Sequence, residues 1–379
     1  MFLNFRKLYK NMTFNGLIDR LLKKRPIMFC DAVDNFFIAN GYTSKGGFDS
    51  IGQPNESRIL PIKDYMTYDE IKLAALVSAS SKSIFINNGA QLNQGILGIK
   101  GSYEEDGIII GLVGARFQRI GKMEFIDCAI TKDQNIHKNG YGSCNDPRHI
   151  MLKEWAKLWK LDYLPTWAEV VDSKYNSQYI KLSNNMFLNT HVYKERIKIT
   201  ALIMIAEAAQ RSIAQNKKAY IHVVGLGLRV WIIDKCQNQL FVDAWGEVLK
   251  TMDSEVIRNI ECINFGSIPV DNCIGVKCKE KFPGTDITIY FSKREIHDPV
   301  PDTNLLICNY SWDGNSLPGN EYWTGSLTSS SDSRAASSSC ITELHNHMIN
   351  RLITSDNLHI VTLGKVKHIS EYAKEKLKV

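Results

Sequence analysis

Residues 192–231 read VYKERIKITALIMIAEAAQRSIAQNKKAYIHVVGLGLRVW, and this stretch decides the fold class. Apolar side chains recur at helical spacing in its first part, which predicts a long helix over residues 192–216. The apolar run 219–224 predicts a buried strand, and Gly225 and Gly227 then predict a tight loop. A helix that leads into a buried strand is the building unit of an α/β protein.

The same alternation extends to both sides of this stretch. Helices are predicted at residues 14–24, 68–80 and 253–260, the second of them behind a capping box from Thr67 to Glu70. Another helix is predicted to begin at Asp146-Pro147. A further helix is predicted to begin at a second capping box, from Thr166 to Glu169. Strands are predicted at residues 83–86, 107–113, 123–130, 239–242, 261–265, 286–291 and 304–309. This order predicts a mostly parallel or mixed sheet covered on both faces, with ligands bound by the loops that follow its strands.

Composition excludes several classes of protein. The chain has 379 residues, of which 44% are hydrophobic, so it is not a disordered polypeptide. Its net charge of +6 is scattered along the chain, which gives no indication of a nucleic-acid partner. No apolar stretch approaches the ~18 residues of a membrane span. Nine cysteines without a CxxC pair, and histidines without an HExxH pattern, predict reduced thiols and no metal site.

The first loop that could carry chemistry is FINNGAQLNQGILG at residues 85–98. The amides of Asn87 and Asn88 are suited to bonding sugar hydroxyls, and Gly95 lets backbone approach a ligand closely. An ordinary connecting loop explains the same residues, because Asn and Gly are common turn formers.

The second loop is the glycine loop, residues 225–231, read GLGLRVW. Gly225 and Gly227 can present backbone N–H groups to a phosphate, and Arg229 can add positive charge. A tight turn with a surface arginine is the alternative. The nearby pair Arg116 and Glu124 similarly fits either a pocket wall or a structural ion pair.

The third loop, NYSWDGNSLPGNEYW at residues 309–323, combines acids and tryptophans after an apolar strand. Loops of this composition often hold functional sites. The alternative is an Asx-turn at Asp313 with Trp312 as a packing anchor. A serine-rich stretch with Asp332 follows.

These segments, together with GIIIGLVGARFQRIGKMEF (107–125) and FVDAWGEVL (241–249), resemble a divergent branch of the macrodomains. This branch is similar to ADP-ribosylarginine hydrolases found among effectors that intracellular bacteria deliver into host cells. The resemblance implies a three-layer macrodomain-like mixed sheet flanked by helices, with a mainly helical N-terminal extension. It implies that residues 1–60 form that extension or lid, 61–340 the catalytic domain, and 341–379 a tail packed on it.

The resemblance also implies roles for particular residues. The implied catalytic acids are Asp313, Glu321 and Asp332; the implied ADP-ribose-binding residues are Asn87, Asn88, Gly95, Gly225, Gly227, Arg229, Trp312 and Asn315. The expected reaction is hydrolysis of the bond between ADP-ribose and a protein side chain, preferably arginine, without metal or cofactor. The expected partners are ADP-ribose and ADP-ribosylated protein, in a host cytoplasm for an effector and otherwise in the cell's own. A non-catalytic ADP-ribose reader and a small-molecule glycosidic hydrolase are the alternatives.

Overall fold

The computed structural model describes residues 7–56, 59–90, 93, 95–172, 177–311, 316–327, 333–362 and 365–377. Within these ranges the helices are α1 (Phe14–Lys23), α2 (Tyr68–Ala74), α3 (Phe125–Cys128), α4 (Ile150–Leu158), α5 (Trp167–Asp172), α6 (Thr190–Ala214), α7 (Cys236–Thr251), α8 (Ser254–Ile257), α9 (Asn320–Thr324), α10 (Ser333–Ala336), α11 (Ile341–His345) and α12 (Ile369–Leu377).

The strands in the same ranges are β1 (Met28–Cys30), β2 (Asn35–Phe37), β3 (Thr43–Ser44), β4 (Ala79–Ile84), β5 (Asp106–Leu112), β6 (Ala129–Thr131), β7 (Tyr179–Ser183), β8 (Met186–Asn189), β9 (Lys218–Val224), β10 (Ile260–Gly266), β11 (Asn272–Cys273), β12 (Val276–Lys277), β13 (Thr288–Ser292), β14 (Asn304–Ser311), β15 (His359–Thr362) and β16 (Lys365–His368).

The central element is a six-stranded mixed sheet in the order β13-β10-β9-β14-β5-β4. Five of these strands run parallel, and β4, the outermost strand on one side, pairs antiparallel with β5. The α/β class and the mixed sheet are therefore confirmed. Parallel strands place their carboxyl ends at one edge of the sheet, which is where a ligand site is expected.

The two faces of this sheet are covered differently. The long helices α6 and α7 pack on one face, and buried residues such as Ala201 on α6 and Ile221 on β9 belong to one large apolar core there. A second apolar cluster on the opposite face joins alternate strand residues to loops and the short helices α10 and α11. A macrodomain-like layering stays a prediction.

The N-terminal part has an apolar core of its own. The helices α1 and α2 and the antiparallel sheet β1-β2-β3 enclose Phe29 and Phe36, and Met123 joins them from the main part of the chain. The extension is therefore mixed α/β rather than mainly helical. The capping box is present as predicted: the Thr67 hydroxyl accepts from the Glu70 backbone, and the Glu70 carboxylate accepts from the Thr67 backbone.

Three predicted elements differ in the structure. Residues 239–242 lie inside α7, because an apolar run of four residues does not distinguish a buried strand from one side of a buried helix. Residues 123–130 contain α3 and only the start of β6. The helix from Tyr68 ends at Ala74, because β4 occupies Ala79–Ile84 and pairs with β5 there.

No helix in the described ranges has both the length and the apolarity that crossing a membrane requires. The nine cysteines are free thiols in the structure, and a reducing environment stays a prediction.

Candidate active site

Three loops leave the sheet where the neighbouring strands β5, β14 and β9 end. Residues 113–117 follow β5, the glycine loop 225–231 follows β9, and residues 316–320 belong to the turn that follows β14. Since β14 pairs in parallel with both β5 and β9, all three loops leave the same edge of the sheet. This edge is the candidate active site.

The loop after β5 and the glycine loop touch through their backbones. A Cβ added at Gly114 would lie 2.5 Å from the Gly227 nitrogen, and one added at Gly227 would lie 2.6 Å from the Ala115 carbonyl oxygen. Gly227 also has a left-handed φ of 79°, which glycine adopts without strain. The Phe117 amide donates to the Trp231 carbonyl at 3.0 Å and closes the contact. Side chains are excluded here, so the two backbones pack directly against each other.

A buried asparagine fixes the start of the glycine loop. The Asn309 Oδ1 accepts from the Val224 amide at 2.7 Å, and its Nδ2 donates to the Val224 carbonyl at 3.2 Å. These bonds lie just beyond the last backbone pair of β14 and β9, which is Cys308 with His222, and they extend the pairing of the two strands. Asn309 therefore holds the glycine loop against the strand that leads to the acidic turn. Asn309 was not among the predicted site residues, although the sequence shows a polar residue at the end of an apolar strand there.

Buried ion pairs hold the loop after β5. The Arg196 Nε donates to Glu124 Oε1 at 2.9 Å, and its Nη2 donates to the Val113 carbonyl at 2.8 Å. The other Glu124 oxygen accepts from the Arg116 amide at 3.0 Å. Of the two interpretations of Arg116 and Glu124, the structural one holds, although the guanidinium that pairs with Glu124 belongs to Arg196.

Glu321 lies in the first turn of α9 and is 6% exposed. The turn before it depends on Gly319, whose φ is 81° and whose added Cβ would lie 2.3 Å from Thr342 Cγ2. The Asn346 Nδ2 donates to the Pro318 carbonyl at 2.9 Å and holds the same turn. Asp313 and Asp332, and with them Trp312 and Asn315, lie outside the described residues, so their roles stay predictions.

The asparagine loop lies elsewhere. It leaves β4 at Ile84, which pairs with Asp106 at the first residue of β5, so it starts from the opposite edge of the sheet. The Asn87 side-chain amide makes its hydrogen bonds within the protein. Its Nδ2 donates to the carbonyls of Ile96 and Ser337, and its Oδ1 accepts from Gly89 and Asn93.

The other members of this loop behave in the same way. The Asn88 Oδ1 accepts from Ala90 and Asn93, and Gly95 has a left-handed φ of 77°. Among the described residues no bond joins Asn87, Asn88 or Gly95 to the glycine loop, and their role in ligand binding stays a prediction.

Arg229 of the glycine loop lies close enough to Arg334 for their charges to interact. Burial lowers the pKa of Arg334, and the positive charge of Arg229 acts in the same direction, whereas Glu295 at 3.5 Å opposes both. Burial, with the positive charge of Arg294 next in size, also lowers the pKa of His222 to about 3, so this imidazole is neutral. Of these groups only the arginines carry positive charge, and Glu295 partly balances that of Arg334.

One other possible site contains none of the predicted residues. A cavity of about 1050 Å³ lies between α2, α4 and the β7–β8 hairpin, lined among others by Trp155 and Phe125. Among the residues whose placement is described, no group of three His, Cys, Asp or Glu side chains is arranged to hold a metal ion.

Comparison with known proteins defines the class. A family model described as ADP-ribosylhydrolase MavL-like matches residues 4–375, and the chain belongs to this family of enzymes. Two fruit-fly proteins (Drosophila melanogaster) are similar to it along nearly its whole length. ADP-ribosylarginine hydrolase CG2909 is 33% identical over 97% of this chain and 76% of its own length. ADP-ribosylarginine hydrolase CG3568 is 34% identical over 97% of this chain and 75% of its own length. The bacterial origin and delivery into a host cell stay predictions.

Proposed function

We propose that this protein removes ADP-ribose from arginine side chains of modified proteins. The observation that carries the proposal is that the glycine loop and the turn bearing Glu321 follow the adjacent strands β9 and β14 at one edge of the sheet. The two fly relatives are named ADP-ribosylarginine hydrolases, and this supports the arginine linkage.

The two sides of this edge suit the two ends of the substrate. The diphosphate of ADP-ribose is anionic and fits the backbone N–H groups of Gly225 and Gly227, with Arg229 nearby. The arginine end is cationic and fits a carboxylate, which can bond a guanidinium through two parallel hydrogen bonds. We place Glu321 at this end, with Asp313 and Asp332 as its partners.

The reaction breaks the bond between the anomeric carbon of the distal ribose and a guanidinium nitrogen. Water adds to that carbon, and the nitrogen leaves with a proton, which yields ADP-ribose and the unmodified arginine side chain of the protein. The transition state carries positive charge on the sugar, and a nearby carboxylate stabilises it while orienting the water. The scheme uses carboxylates alone, so we expect EDTA to leave the rate unchanged.

The test uses purified protein on a carrier protein that is ADP-ribosylated on arginine, with release of ADP-ribose measured by chromatography. Glu321→Gln is expected to lower kcat by ~10²-fold, or about 3 kcal/mol in the barrier, with little change in the affinity for ADP-ribose. Glu343→Gln is the matched control, because Glu343 is an exposed acid on the neighbouring α11.

Each outcome has a distinct meaning. Wild-type protein that binds ADP-ribose by calorimetry but leaves the conjugate intact would be a reader and not a hydrolase. An active wild type with full activity in Glu321→Gln would remove Glu321 from the mechanism and leave the function in place.

A further inference from the structure

Residues 26–34 contact two of the three loops at the candidate site, residues 113–117 and residues 316–320. At one end of this segment, the Pro26 carbonyl accepts from the Leu317 amide at 2.9 Å, and the Phe29 amide donates to the Ser316 hydroxyl at 2.9 Å. Ser316 is 1% exposed, so both bonds lie out of water in the turn that leads to Glu321.

The other end of the segment is organised by Asp34, which is fully buried. Its carboxylate accepts from Arg116 Nη1 at 2.9 Å, lies 3.3 Å from Arg119 Nε, and accepts from the Tyr68 hydroxyl. The Arg116 Nη2 also donates to the Asp31 carbonyl at 2.7 Å. A guanidinium held by two acceptors of one segment has a fixed orientation.

Asp34 itself is held in an uncommon conformation. Its φ of 54° lies in the left-handed region, which aspartate tolerates better than most residues. Burial and the neighbouring Asp34 carboxylate raise the pKa of Tyr68, so this phenol stays a hydrogen-bond donor at neutral pH. The Asp34 carboxylate therefore keeps two hydrogen-bond donors, Arg116 and Tyr68, and the charge of Arg119 beside it.

The residues bonded at the two ends lie next to the parts of the site that must cooperate. Arg116 directly follows Ala115, whose carbonyl is the closest neighbour of a Cβ placed at Gly227. Ser316 and Leu317 precede Gly319 and α9, which carries Glu321. The segment thus joins the glycine-loop side of the site to the acidic side without passing through the sheet.

We propose that residues 26–34 are a strut that sets the separation of these two loops, with Asp34 as a positioning residue for the hydrolysis. The role in hydrolysis rests on the proposed function; the strut itself does not. The N-terminal part of the chain is then an integral wall of the active site and not a removable lid.

The test is a double-mutant cycle between the two ends. Asp34→Asn loosens the end at Arg116, and Ser316→Ala loosens the end at Phe29. A misplacement approaching 1 Å costs up to ~10²-fold in rate, so each single change is expected to lower kcat by roughly tenfold. Once one end is loose the other no longer sets the spacing, so the double variant is expected to lose roughly 10–30-fold. Additive losses of about 100-fold would overturn the strut.

The matched control is Asp49→Asn. Asp49 belongs to the same N-terminal part and pairs at 2.7 Å with Arg119, but it is partly exposed and the structure shows no bond from it to Arg116 or to residues 316–317. We expect wild-type kcat from this variant. A loss equal to that of Asp34→Asn would mean that any weakening of this part of the chain lowers activity, and would overturn the positioning role.

Hydrogen–deuterium exchange tests the strut without any activity. Asp34→Asn is expected to raise exchange at residues 316–320, and Ser316→Ala at 113–117, each at the far end from the change. Exchange confined to the loop nearest each change would refute the strut, even for a wild type that releases no ADP-ribose. If Asp34→Asn does not fold, Arg116→Lys replaces it, since lysine keeps the charge and loses the fork between Asp34 and Asp31.

Discussion

Gly227→Ala is the sharpest test of where the active site lies. Alanine at this position meets two costs at once. A left-handed backbone costs a residue with a side chain about 1–2 kcal/mol. The new Cβ would also lie 2.6 Å from the Ala115 carbonyl oxygen, where ordinary contacts begin near 3.4 Å. That oxygen is backbone, so a side-chain rotation does not relieve the overlap.

The two loops must therefore part by about 0.8 Å. We expect a loss of stability of about 2–3 kcal/mol, from the strain together with the displaced contact. A displacement of this size at a catalytic edge is expected to lower the rate by roughly 10²-fold. The measurements are release of ADP-ribose from ADP-ribosylarginine protein, binding of ADP-ribose by calorimetry, and urea denaturation.

Gly275→Ala is the matched control for backbone strain. Gly275 has a φ of 85°, and its added Cβ would have no neighbour within 4 Å, so the strain is present without the overlap. We expect a stability loss near 1 kcal/mol and unchanged activity. If Gly227→Ala turns over and binds ADP-ribose within threefold of wild type, the contact between the loops does not belong to the active site.

Two further predictions concern stability. Burial lowers the pKa of His222, His297 and His345 to about 3 each, so the unfolded state takes up their protons first as the pH falls through 6.5. These three histidines are then expected to lower stability by about 4 kcal/mol between pH 7.5 and 5.5, at about 1.4 kcal/mol each, in urea titrations at both pH values; a flat profile would contradict it. Lys72→Met leaves Asp127 buried without the lysine that lies 2.6 Å away, and is expected to cost about 3 kcal/mol by the same titration. Adding Asp127→Asn should recover part of that loss, and no recovery would mean that the charge is not the cause.

The sequence predicted the elements whose signals are local. The long helix, the strand before Gly225 and the capping box at Thr67 each depend on residues within a few positions of one another. The error at residues 239–242 has the same origin, because a short apolar run carries no information on the partner that buries it.

Long-range pairings could not be predicted in this way. Asp34 and Arg116 are 82 residues apart, and nothing in the residues around Asp34 identifies its partner. The asparagine loop illustrates the converse: composition suits Asn87 to sugar binding, but which edge of the sheet a loop leaves is decided by the direction of its strand. Because β4 runs antiparallel to β5, this loop starts from the edge opposite to Gly225.

The contact between Phe29 and Ser316 has a consequence for synthesis of the protein. The two residues are 287 positions apart in the chain. At ~5–20 residues per second, the ribosome makes Phe29 roughly 15–60 seconds before its partner. The N-terminal part is thus synthesised first, and its Pro26 carbonyl and Phe29 amide have no partner in the acidic turn until residues 316–317 are made. A polypeptide that ends before Ser316 lacks the acidic turn, so we expect it to be inactive.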